Sequence, residues 1–203
     1  GCVVTNSIDS CVPSNELTST NLTGYNDASA KSTDSHYFYL VKSYDNSGLV
    51  SPTSNIVSII IDKTAPLPPT LSQLSINGFT NLLPSILNWS ASTDPGVLAS
   101  GLNNYNIFKG LTSGFLSLLT TTQPTILTYN DSLLSEGSRA YYQVSATDKA
   151  TNEGTKSNEE SIVLDATKPV TTLTKTPADP DGDNGWHKTS FGVDLTCSDS
   201  GSG

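Results

Sequence analysis

The chain has 203 residues, 10 lysines and arginines against 19 acidic residues, and a net charge of −9. Arg139 is the single arginine, which excludes a nucleic-acid partner, because phosphate contacts need clustered basic side chains. Apolar residues (AVILMFWYC) make up only 35%, and no run is long enough to span a bilayer. Serine, threonine and asparagine supply the polarity in place of charge, as suits a β protein with hydroxyl- and amide-bearing outer faces.

Residues 1–36 read as loop-rich, with Cys2, Cys11 and one short apolar patch at 22–25. Tyr37, Tyr39 and Val41 then alternate with Phe38, Leu40 and Lys42, which is strand periodicity. A turn at 45–48 (DNSG) follows, then a second alternation at Val57, Ile59 and Ile61. The proline-bearing segment 67–70 reads as a short, stiff linker. Beyond it, Leu87, Trp89 and Ala91 share one strand face, and Tyr105 and Ile107 share another. A turn is expected at 110–114, strands at 126–129 and from Tyr142, and a final strand through Phe191, Val193, Leu195 and Cys197. No segment holds a 3.6-residue period, so almost no helix is expected.

The stretch Tyr37–Pro66 recurs at Ala140–Pro169 without a gap. Tyr39 falls on Tyr142, Val41 on Val144, Asp45 on Asp148, Asn55 on Asn158, Asp62 on Asp165 and Pro66 on Pro169, each 103 residues on. A period the size of one small domain marks a tandem array. Three units are expected: the C-terminal part of a sandwich over 1–66, a complete sandwich over 67–169, and the N-terminal part of another over 170–203. The 34 residues after Pro169 and the 66 through Pro66 together make 100, one further unit. With no methionine present, the chain reads as a segment of a longer protein, its split units completed by neighbouring copies.

The opening APLPP (65–69), LNWS (87–90), YNIFK (105–109), AYYQVSATD (140–148) and SN (157–158) resemble a fibronectin type III module. That resemblance implies an antiparallel seven-stranded sandwich with Trp89 and Tyr142 in its core, and no activity. The run PDGDNGW (180–186) with the strand after it resembles bacterial Ig-like modules. Joining Cys197–Gly203 to Gly1–Thr5 reproduces the Ig-like pattern better than either end alone. The fold class is therefore all-β, as tandem antiparallel sandwiches.

Candidate chemistry is sparse. Cys2 and Cys197 pair between neighbouring copies, or Cys2 pairs with Cys11 locally; either bond points to an oxidising, extracellular setting. Asp179, Asp181 and Asp183 alternate as hard oxygen ligands for Ca2+, although Asn184 stands where an EF-hand has glycine, and a solvated turn explains them as well. Asp45, Asp148, Asp62 and Asp165 recur at module ends, as inter-module calcium ligands or as turn residues. Asn21, Asn88 and Asn130 fit the glycosylation pattern. Phe38, Phe108 and Tyr141 are candidates for an exposed glycan-binding or inter-module face. No nucleophile elbow, zinc-protease motif or phosphate loop occurs, and the adjacent Glu159 and Glu160 sit in a strand approach, so no catalysis is expected. The expected role is a non-catalytic repeat of an extracellular stalk, filament or adhesin shaft, whose partners are neighbouring copies, glycans or other surface proteins. The alternatives are an accessory region of a large secreted carbohydrate-active enzyme, or a carbohydrate-binding module.

Overall fold

The computed structural model describes residues 2–4 (as backbone), 26–27, 33–176 and 178–200. The strand expected at 22–25 lies outside them. The described residues are β throughout, with a 3-10 turn at Asp183–Gly185 as their one helical element. The all-β expectation holds.

Three antiparallel strands form the first sheet: β1 (Cys2–Val4), β2 (Ser35–Tyr39) and β3 (Val57–Ile61), in that order. The central sandwich follows. One layer has the order β4-β10-β9-β6-β7, from β4 (Phe79–Thr80), β6 (Leu102–Thr112), β7 (Phe115–Thr122), β9 (Arg139–Asp148) and β10 (Glu160–Leu164). The other layer pairs β5 (Ser85–Asn88) with β8 (Thr128–Asp131) and is widened by an antiparallel bridge between Leu71 and Trp89. Finally β11 (Val170–Thr176) and β12 (Gly192–Ser198) make a two-stranded antiparallel ribbon.

Alternation builds the central core. Along β9, Ala140, Tyr142, Val144 and Ala146 are all fully buried; of the residues between them Tyr141 and Gln143 are not, while Ser145 is, its hydroxyl donating to Glu153. They meet Tyr105 and Ile107 of β6, Ile162 and Leu164 of β10, and Leu71, Leu87 and Trp89 from the facing layer. Trp89 and Tyr105 add an edge-on ring contact at 5.7 Å. A fully buried Trp or Tyr contributes roughly 2–3 kcal/mol by removal of apolar area from water. Beneath this core Asp131 accepts hydrogen bonds from Tyr142 Oη (2.6 Å) and Leu133 N and pairs with Lys109. Burial opposes ionisation of Asp131, but those bonds and the Lys109 charge outweigh it and hold its carboxyl below the usual range. Burial first, and then Asp131, push the Tyr142 phenol far up, so it stays a donor.

Three details differ from the sequence reading. β7 is an extra strand: it lies at the edge of its sheet, half exposed on both faces, so its residues show no clean alternation. Ala91 is exposed, because the ladder of β5 ends at Asn88. Phe38 is buried at 5% exposure, its ring tilted at 40° against that of His36 with centroids 4.1 Å apart.

Candidate metal centre

The densest charge in the described residues lies where the end of β3 meets the central sandwich. Asp62 follows β3, Asp94 stands in the loop after β5, and Asp148 ends β9. One carboxylate oxygen from each lies within 4.8 Å of the other two. Asp148 is fully buried and Asp62 is 7% exposed. No ion pair among the described residues reaches them.

Local chemistry sets each carboxylate in place. Asp148 turns the chain after β9 by accepting from Asn152 N and Nδ2, both at 2.8 Å, around Thr151 at a positive φ of 70°. The same Asn152 Nδ2 donates to the Asp62 carbonyl at 3.1 Å, which ties the turn to the end of β3. Asp62 accepts from Thr64 N on one oxygen and from Ser100 N (2.7 Å) on the other. Asp94 Oδ2 accepts from Gly101 N at 2.7 Å. Its Oδ1 is enclosed, with no hydrogen-bond donor among the described residues. Asp34 stands beside them, accepting from Lys63 N and Thr64 Oγ1. Gly154 allows the close approach: a Cβ there would sit 2.2 Å from the Pro66 carbonyl oxygen.

The electrostatics follow from this crowding. Burial pushes the Asp94 carboxyl up, and the charges of Asp62, Asp148 and Asp34 add to that, against the Gly101 hydrogen bond. Asp34 is held low, chiefly by the Lys63 N–H. The cluster is thus a set of hard oxygen donors with unbalanced negative charge. Two oxygens bound to one ion at about 2.4 Å, the middle of the calcium range, lie at most about 4.8 Å apart, so the spacing fits a single divalent ion.

Of the residues singled out in the sequence, Asp62 and Asp148 come together here. Asp94 was missed, since Thr-Asp-Pro-Gly reads as a plain turn. Asp45, the counterpart of Asp148, closes a turn by accepting from Ser47 and Leu49. Asp165, the counterpart of Asp62, likewise has an enclosed Oδ1 without a donor.

Asp179, Asp181 and Asp183 are exposed and are not gathered into a ligand group. Asp181 instead accepts from Lys188 N, Thr189 N and Thr189 Oγ1 and closes the turn before β12. Cys197 carries an exposed free thiol; Cys11 and the Cys2 side chain, and with them both pairings, lie outside the described residues, as does Asn21. Asn88 and Asn130 are exposed on β5 and β8. Phe108 is half buried beneath the Lys156 ammonium at 3.8 Å, and Tyr141 is half buried, so no platform of exposed aromatics forms from the three rings named above. Glu159 caps the β6–β7 turn by accepting from Ser113 Oγ and Gly114 N, and no catalytic constellation forms among the described residues.

No family model matches the chain. It is 33% identical over 150 residues to Exoglucanase B of Cellulomonas fimi, a match covering 70% of this chain and 12% of that protein. The chain therefore spans about one-eighth of the length of the curated relative it matches. Among solved structures it is similar to a β-1,2-glucanase from Parabacteroides distasonis, at TM-score 0.40 and 20% identity, over 57% of this chain and 17% of that one. It is also similar to a Fn3-like protein from Clostridium thermocellum, at TM-score 0.35 and 25% identity, over 50% and 93%. The FN1–FN3 domains of chicken CNTN1 align at TM-score 0.44 and 20% identity, over 70% and 46%.

Proposed function

We propose that this chain is a non-catalytic accessory region of a larger secreted carbohydrate-active protein, its sandwiches spacing and orienting a catalytic part that lies elsewhere in the polypeptide. The observation that carries this reading is the match, at 33% identity over 150 residues, to a small fraction of Exoglucanase B. It favours the accessory role over the stalk or adhesin shaft expected from the repeat. The test uses the parent protein with and without these residues. Deletion is expected to leave hydrolysis of a small soluble glycoside unchanged and to lower hydrolysis of an insoluble polysaccharide. A parent made of further copies and a surface anchor, with no catalytic domain, overturns the reading in favour of the shaft.

The cation proposed for Asp62, Asp94 and Asp148 is Ca2+. All donors are oxygens, their spacing suits one ion, and the enclosed Asp94 Oδ1 has no hydrogen-bond partner among the described residues. Its role is to lock the end of β3 to the central sandwich. Calorimetric titration of the chelated chain with calcium is expected to show one site whose heat is lost in Asp94→Asn; a flat wild-type titration at millimolar calcium removes the assignment.

A further inference from the structure

One edge of the central sandwich is open. β7 ends its sheet, with β6 on one side and no strand on the other. In an antiparallel ladder alternate residues turn their N–H and C=O groups to opposite sides, so half of the backbone polar groups of β7 point away from β6. Among the described residues no hydrogen bond meets them there. The edge lies inside the complete sandwich, between β6 and β8 in the chain, so neither end of the chain creates it.

Long open edges are commonly guarded by charge or proline. β7 reads FLSLLTTT and has neither, and no charged residue stands between Lys109 and Asp131. Two register shifts against β6 bend the strand without covering its edge. The side chains beside the edge are apolar. Phe115 is 81% and Leu118 57% exposed, and with Leu111 and Leu116 they line a groove along the β6–β7 hairpin. Leu119, by contrast, packs against the core. The ligand that satisfies a row of unpaired N–H and C=O groups is another extended backbone.

Charge points to where a second copy can supply it. The chain carries a net charge of −9, so two copies repel one another overall, and least where an uncharged edge meets an uncharged edge. Two β7 strands set antiparallel about a two-fold axis place no charges opposite one another. Leu118, near the midpoint of the strand, then lies close to Leu118 of the other copy. We propose that β7 pairs antiparallel with β7 of a second copy, joining two five-stranded sheets into one. The contact is isologous, so it closes at a dimer. Each strand gives 8 residues, against roughly 20–30 a side in a stable interface, so the dimer is weak and fills only as concentration rises. It does not depend on the enzyme context or on calcium.

The test is sedimentation velocity of the 203-residue chain in chelator, over a concentration series reaching about 1 mM. The average mass of the wild type is expected to rise from the monomer value of 21.4 kDa towards that of a dimer and no further. Hydrogen exchange at the two ends of the series is expected to slow with concentration in residues 115–122. Leu118→Lys and Leu118→Glu are each expected to stay monomeric alone, where like charges meet, and to associate when mixed, where opposite charges meet. Association in the mixture also shows that both variants fold. Ile76→Lys, at a position 92% exposed and outside the strand, is expected to associate as the wild type does. A wild type that stays monomeric throughout, association that Leu118→Lys leaves intact or that Ile76→Lys also abolishes, a mixture that stays monomeric, or slowed exchange that misses β7 each overturns the proposal.

Discussion

Replacing Asp94 with asparagine separates the charge cost of the carboxylate cluster from its use. Asparagine keeps the acceptor for Gly101 N and removes the charge facing Asp62, Asp148 and Asp34. At 4.8 Å, two full charges repel by about 3.5 kcal/mol for an effective dielectric of ~20. Asp94 is partly solvated and relieves itself by holding its proton to higher pH, so the net relief is smaller, about 1–2 kcal/mol. For a sandwich of this size that raises Tm by roughly 4–10 °C in chelator. The pH dependence has a definite sign. A carboxyl whose folded pKa is raised contributes stability that is complete below the unfolded value and is lost as pH rises through the folded value. The Tm gap between variant and wild type in chelator should therefore close on acidification to the ordinary aspartate range and open towards neutrality. With calcium bound at the proposed site the order should reverse, since a ligand at a hundred times its Kd stabilises the native state by about 2.7 kcal/mol, and the variant would forfeit that. Differential scanning calorimetry of both proteins, in chelator and in calcium, reads all four values. A variant less stable than the wild type in chelator, or an order indifferent to calcium, refutes the reasoning.

Gly154→Ala forces a Cβ to 2.2 Å from the Pro66 carbonyl, against backbone that cannot yield cheaply; urea unfolding should show a loss of about 1–3 kcal/mol. Tyr142→Phe removes the donor that helps hold Asp131 ionised and should cost about 1–3 kcal/mol at neutral pH. The same change should weaken acid resistance: the low Asp131 pKa contributes stability present above the unfolded aspartate value and lost as pH falls through the folded one, and removing a donor narrows that window. Asp181→Asn should leave the calcium titration unchanged, because Asp181 is engaged in closing its turn; a lost calcium heat would return the site to the 179–183 run.

The alternation of Tyr142, Val144 and Ala146 shows in the sequence because a strand with one buried face repeats every two residues and needs no knowledge of its partners. The tandem period is equally plain, and it flagged Asp62 and Asp148 through their counterparts Asp165 and Asp45. β7 stayed hidden because an edge strand exposed on both faces has no hydrophobic period to read. Asp94 stayed hidden because a turn aspartate looks the same whether or not other carboxylates converge on it. The sequence by itself determined the strand faces and the repeat, since local periodicity and residue type carry these. Only the tertiary structure decided which aspartates meet, that the 179–183 run stays apart, and that Val41 lies bare where Val144 is buried. Those outcomes depend on which strands cover which face, and the contacts that decide it join residues far apart along the chain.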